Sequence, residues 1–152
     1  MMALPILLVE DNPDHVLIIS RGLRGHHVVN EIKVAVDGQE AMDYLYRQGK
    51  YAEPEAAPRP GLILLDIKLP KLNGLEVLRR IKSDPSLKTI PVVMLTSSDQ
   101  EVDIVKSYMN GANSYVSKPM DFVEFTAAVN NLGIYWVMLN KLAKESLAES
   151  YA

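Results

Sequence analysis

Thiol chemistry is closed to this chain from the outset, because none of its 152 residues is cysteine. That excludes a disulfide framework, thiolate metal ligands and a cysteine nucleophile. A surplus of one charge is missing too. Lys and Arg number 16 against 19 Asp and Glu, and the net charge of −3 offers no general attraction to nucleic acid. No apolar run reaches bilayer length, and Met1-Met2-Ala3-Leu4-Pro5 has neither the basic flank nor the cleavage site of an export signal. The expectation is therefore a cytoplasmic protein with neither a membrane nor a nucleic-acid partner. The histidines are only three, His15, His26 and His27, and no two of them pair with carboxylates in a zinc or triad pattern. They read as surface residues. A glycine-rich phosphate fingerprint is also absent after the first apolar run, which argues against a dinucleotide-binding module.

What is present is a globular composition, 48% hydrophobic and 23% charged, in a length suited to one well-buried domain. The strongest local signal is Leu62-Ile63-Leu64-Leu65-Asp66, four apolar residues ending on a carboxylate, with Pro60 before and Asn73-Gly74 after. Such a run reads as a strand buried on both faces, as in a parallel sheet. Similar short runs occur at Leu4 to Val9, Glu31 to Val36, Pro91 to Leu95 and Ala112 to Val116. Helical patterns separate them. Asn12-Pro13 caps the first, which carries Val16, Leu17, Ile19 and Leu23 on its apolar face; Asp37-Gly38 opens the second, and Asn73-Gly74 the third. Ser98 and Glu101 have capping-box spacing for a fourth, and a fifth starts near Asp121. The segment from Gly49 to Gly61, with Pro54, Pro58 and Pro60, reads as a long loop. Five strand-helix units make an α/β, doubly wound parallel sheet the expected fold.

The strand ends carry the chemistry. Glu10-Asp11 follows the first strand, Asp66 ends the third, Thr96 follows the fourth and Lys118 the fifth. In doubly wound sheets ligands collect at that carboxyl edge. If strands one and three are neighbours there, three carboxylates crowd together, and a hard divalent cation such as magnesium would make the cluster tolerable. With the Lys118 ammonium and the Thr96 hydroxyl, these groups would hold a phosphoryl group on or near Asp66.

Together, Glu10-Asp11, Asp66 with Leu69-Pro70 and Asn73-Gly74, Leu95-Thr96, Gly111-Ala112, and Tyr115 ahead of Lys118-Pro119 make the chain resemble a response-regulator receiver domain of two-component signalling. The resemblance covers residues 4–132. It implies a flavodoxin-like (βα)5 fold with strand order 2-1-3-4-5, in which Asp66 accepts a phosphoryl group from a sensor histidine kinase. It further implies Mg2+ held by Asp11 and Asp66 directly, by Glu10 through water and by the backbone carbonyl of Lys68. Lys118 would pair with phosphoryl oxygens, Thr96 would donate to one of them, and Tyr115 would turn inward as the switch. The Lys118-Pro119 peptide would be cis. The Lys68 side chain reads as solvated or as reaching toward the phosphoryl group. The chain would be a phosphoacceptor and not an enzyme in the ordinary sense.

Two other readings compete. A phosphatase of the haloacid-dehalogenase type also uses an aspartate nucleophile, but it needs an acid two residues later, where Lys68 stands. A receiver-like module that is never phosphorylated would have no use for the intact acidic set. Residues 133–152 are too few for an output domain, so a stand-alone receiver acting through an unknown downstream protein is expected. The proline-containing loop before Asp66 and Tyr135-Trp136 in the tail resemble the small regulators of bacterial phytochrome kinases. Phe122, Phe125, Val129, Leu132, Trp136, Leu139 and Ala143 recur at steps of three and four, which predicts a helical extension that forms a homodimer.

Overall fold

The computed structural model describes residues 4–25, 28, 30–102, 104, 114–118 and 121–131. Five strands form one parallel sheet: β1 (Ile6–Val9), β2 (Ile32–Ala35), β3 (Leu62–Asp66), β4 (Val92–Thr96) and β5 (Ser114–Ser117). Their order is β2-β1-β3-β4-β5. The helices are α1 (Pro13–Gly25), α2 (Gly38–Tyr46), α3 (Gly74–Ser83), α4, described over 99–102, and α5 (Phe122–Asn131). The sheet is thus the expected doubly wound one, with the order that the resemblance implied.

Alternation along each strand divides the core between two faces. Leu7, Val9, Ile63, Leu65 and Met94 pack with Ala41, Met42 and Leu45 of α2 and with Val77, Leu78 and Ile81 of α3. Ile6, Leu8, Leu64, Val93 and Leu95 pack on the other face with Ile19 and Leu23 of α1 and with Phe125 and Ala128 of α5. Every residue of β1, β3 and β4 is buried. Each leucine-sized side chain so placed contributes about 1.5–3 kcal/mol, which anchors the strand ends that carry the polar groups.

Four strand boundaries and one helix face differ from the sequence pattern; β4 runs Val92–Thr96 rather than Pro91 to Leu95, so Thr96 is its last residue. β1 begins at Ile6 rather than Leu4, and β2 loses Glu31 and Val36; Leu4 and Val36 are exposed. Among the described residues β5 begins at Ser114 and runs on to Ser117. Leu17 lies 48% exposed beside Ile18, so the buried stripe of α1 is Ile19 and Leu23, with Val16 packed against it. An i, i+3, i+4 pattern admits more than one face, and contact with the sheet selects among them.

The loop from 49 to 61 is built more tightly than its composition suggests. It contains two 3-10 turns, Gly49–Tyr51 and Pro54–Ala56. Tyr44 Oη donates to the Pro58 carbonyl at 2.7 Å, and Arg59 Nη1 to the Leu45 carbonyl at 2.6 Å. The latter satisfies a carbonyl that the end of α2 leaves without a helical partner. The expected tail helix and dimer stripe, with Leu132, Trp136, Leu139 and Ala143, and also Gly111, Pro119 and His26-His27, lie outside the described residues.

Candidate functional site

Each polar group at the carboxyl edge of the sheet is placed by the element that carries it. Asp66 is the last residue of β3 and only 3% exposed; its Oδ1 accepts from the Ile67 backbone N–H at 2.8 Å. The chain then turns sharply into α3, and the turn is compact enough to demand glycine. A Cβ on Gly74 would lie 2.0 Å from the Asp66 carbonyl oxygen, and one on Gly38 would lie 1.9 Å from the Leu72 carbonyl oxygen. Gly74 N–H donates to Ile67 O at 2.8 Å, and Lys71 takes a left-handed φ of 66°. Asn73 caps α3 by accepting from Leu75 N–H. The loop after Asp66 is therefore wedged between the start of α2 and the start of α3.

Glu10 follows β1, is as buried as Asp66, and its Oε1 accepts from Asn12 N–H at 3.2 Å. Asp11 beside it is exposed. One carboxylate oxygen from each of Glu10, Asp11 and Asp66 lies within 4.8 Å of the other two. The cation already in this cluster is Lys118. Its Nζ lies 2.9 Å from Glu10 Oε2 and 3.0 Å from Asp66 Oδ2, with the side chain only 6% exposed. Its backbone N–H donates to Thr96 O at 2.8 Å, so β4 sets where the lysine leaves β5. Thr96 ends β4 as a buried hydroxyl that donates to Val116 O at 3.3 Å.

Electrostatics follow from this crowding. Burial, and then the Glu10 charge, raise the Asp66 carboxyl to about 6, even though Lys118 acts in the other direction. Burial alone would lower the Lys118 ammonium, but its hydrogen bonds to Glu10 and Asp66 outweigh that and raise it. One lysine offsets one of three negative charges. A divalent cation would offset the other two, and an all-oxygen donor set with an exposed carboxylate at its mouth suits a hard ion. The three carboxylates thus fit the group that the sequence pattern calls for.

Two groups stand apart from that cluster. Lys68 is 81% exposed and turned toward the buried Glu101, with Nζ 3.9 Å from Oε2. Glu101 in turn accepts from Ser97 N–H, while Glu101 N–H donates to Ser98 Oγ at 3.2 Å. This is the expected capping box, with the carboxylate reaching one residue further back than the usual pairing. Tyr115 is half-buried against the core on the α2 and α3 side.

His15 corrects the sequence reading. It is not a free surface residue: its Nδ1 lies 3.2 Å from Lys118 Nζ and 3.5 Å from Glu10 Oε1. The signal was its place three residues after Asn12 in a helix whose first turn faces the acidic pair. Histidine counting missed it because its partners are a lysine and a glutamate rather than other metal ligands.

The response regulator receiver domain family matches residues 6–130 of the chain. The chain belongs to that family. As a receiver, it is 40% identical over 132 residues to the response regulator Rcp1 of Synechocystis sp., spanning 87% of this chain and 88% of Rcp1. Rcp1 has also been solved in an Mn(2+)-bound form, similar to this receiver with a TM-score of 0.68 over 90% of this chain and 94% of that one. The bacteriophytochrome response regulator AtBRR shares 46% identity and a TM-score of 0.85, covering 92% of this chain and 99% of its own. The phosphorylated cyanobacterial phytochrome response regulator RcpA shares 42% identity and a TM-score of 0.69, over 91% and 96% of the two chains. The receiver is thus a phosphoacceptor module of two-component signalling, similar to phytochrome response regulators. Among the described residues no helix is long and apolar enough to cross a membrane.

Proposed function

We propose that this receiver takes a phosphoryl group on Asp66 from the phosphohistidine of a sensor kinase of the phytochrome type, in the cytoplasm, and signals through a protein contact. The observation that carries the proposal is the Lys118 ammonium held 3.0 Å from Asp66 Oδ2 at the buried end of β3. In the transfer, an Asp66 oxygen forms a bond to phosphorus, and the phosphorus–nitrogen bond breaks with its electron pair returning to the imidazole. Attack requires an ionised carboxylate, and a carboxyl raised to about 6 by burial and Glu10 is ionised at neutral pH.

Lys118 then follows the charge from the carboxylate to the phosphoryl oxygens, and Thr96 donates its hydroxyl to one of them on leaving Val116 O. Tyr115 turns into the space so vacated. Residues 4–132 form the receiver and 133–152 a helical extension that pairs two copies. Magnesium would be held by Glu10, Asp11, Asp66 and the Lys68 carbonyl, and when bound would neutralise charge gathering on the transferred oxygens. Apart from catalysing its own phosphorylation and dephosphorylation, the chain would have no enzymatic activity.

Labelling with acetyl phosphate tests this reading. Wild type should label in Mg2+ and lose the label in excess chelator, and both Asp66→Asn and Asp11→Ala should abolish or severely slow it. Stoichiometric labelling of Asp66→Asn would remove the assignment. Undiminished labelling in chelator would remove the metal role. Co-purification with a phytochrome kinase tests the partner.

A further inference from the structure

We infer that His15 is a positioning residue of the phosphoacceptor site: its Nδ1 accepts the third hydrogen bond of the Lys118 ammonium and so keeps the lysine aimed at Asp66. The inference rests on the reading of Asp66 as acceptor and adds a residue to it. An ammonium carries three protons, and one that is 6% exposed has little access to water. Glu10 Oε2 at 2.9 Å and Asp66 Oδ2 at 3.0 Å receive two. His15 Nδ1 at 3.2 Å is placed to receive the third.

With two acceptors the Lys118 Nζ can still swing about the line that joins them, and a third acceptor off that line removes this freedom of position. With Lys118 donating, the Nδ1 lone pair is committed and the ring proton resides on Nε2. The His15 side chain, 40% exposed, stands beside the Lys118–Glu10 contact, with Nδ1 3.5 Å from Glu10 Oε1. α1 supplies the necessary rigidity: Asn12 Oδ1 accepts from Asp14 N–H at 2.9 Å and from His15 N–H at 3.4 Å, which fixes the first turn on which His15 stands.

Two measurements on the full chain test this. The first is nitrogen NMR of the His15 ring at pH 8. Nδ1 should resonate as a hydrogen-bonded acceptor, and its signal should move when Lys118→Met removes the donor, but not in Lys68→Met. An Nδ1 signal indifferent to Lys118→Met overturns the contact. The second compares acetyl phosphate labelling rates. Loss of one hydrogen bond to a charged group predicts that His15→Leu labels about tenfold more slowly. His15→Asn, which offers an oxygen near the position of Nδ1, should recover to within about threefold of wild type.

Wild-type rates in His15→Leu, or a His15→Asn no faster than His15→Leu, overturn the positioning role. Unlabelled wild type would remove the phosphoacceptor reading itself and this role with it. The two failures are thus distinguishable, since only the second abolishes label in the parent protein.

Discussion

Asp66→Asn should make the metal-free protein more stable, and more so at high pH than at low. In the folded chain the Asp66 carboxyl titrates at about 6 against an ordinary value of 3.8, raised by burial and by Glu10. Between those two values the unfolded chain ionises first. Stability from this group is therefore complete below the unfolded value, falls as pH rises through the folded one, and stays low above it. At roughly 1.4 kcal/mol per pKa unit the full penalty is of order 2–3 kcal/mol. Asparagine keeps the shape and removes the charge, while Lys118 keeps Glu10 as its partner. Allowing for the weaker amide contact to Lys118, the net gain should be about 1–2 kcal/mol at pH 8, or roughly 3–6 °C in Tm. Near pH 5 the penalty is about half its full value, because wild-type Asp66 is then largely protonated, so after the same allowance for the amide most of the net gain should disappear. Urea unfolding of both proteins in chelator measures the difference, and saturating Mg2+ should narrow it. The reasoning fails if Asp66→Asn is no more stable than wild type at pH 8, or gains as much at pH 5.

Gly74→Ala should cost about 2–3 kcal/mol and slow labelling, because its Cβ would meet the Asp66 carbonyl at 2.0 Å; Gly22→Ala in α1, where an added Cβ meets nothing within 4 Å beyond its chain neighbours and its own helix backbone, should instead gain about 0.5–1 kcal/mol. Paired urea unfolding curves decide both signs. Substitutions at Lys68 or Ser98 should change the decay of phosphorylated protein more than its formation, as read by chase after donor removal; equal effects on both steps would indicate a general structural role. Truncation after Leu132, or Trp136→Ala, should weaken self-association and spare Asp66 labelling, and sedimentation showing a monomeric full chain at micromolar concentration would refute the dimer.

How legible each feature was depends on how local its cause is. β3 could be read because four successive apolar residues cannot be solvated on either face, and Asn73 could be read as a cap because capping is a contact two residues away. Leu17 fits the apolar period of α1 yet lies exposed, because the sheet, not the helix period, chooses the buried stripe. The loop at 49–61 looked unstructured because its ties are long-range hydrogen bonds from Tyr44 and Arg59, which leave no pattern in composition. The acidic cluster was visible as strand-end residues, yet the contact of His15 with Lys118 spans 103 positions and depends on where α1 crosses the sheet edge. Gly38 and Gly74 showed as turn residues, but the two carbonyls that exclude a Cβ there belong to segments brought together only by the fold.

The positions of Thr96 and Lys118 are mechanically linked in a way that bears on signalling. The Thr96 carbonyl holds the Lys118 backbone N–H at 2.8 Å, and the Thr96 hydroxyl holds the Val116 carbonyl at 3.3 Å. The residue that would follow the phosphoryl group is thus bonded on both sides of Ser117, one residue past Tyr115–Val116. On the proposed reading, a shift of the Thr96 hydroxyl toward Asp66 leaves the Val116 carbonyl without its donor and loosens β5 where Tyr115 stands. The 2.8 Å backbone bond meanwhile keeps Lys118 in reach of Asp66. The same threonine can therefore release the switch through its side chain and retain the counterion through its backbone, so signal and chemistry need not compete for one contact.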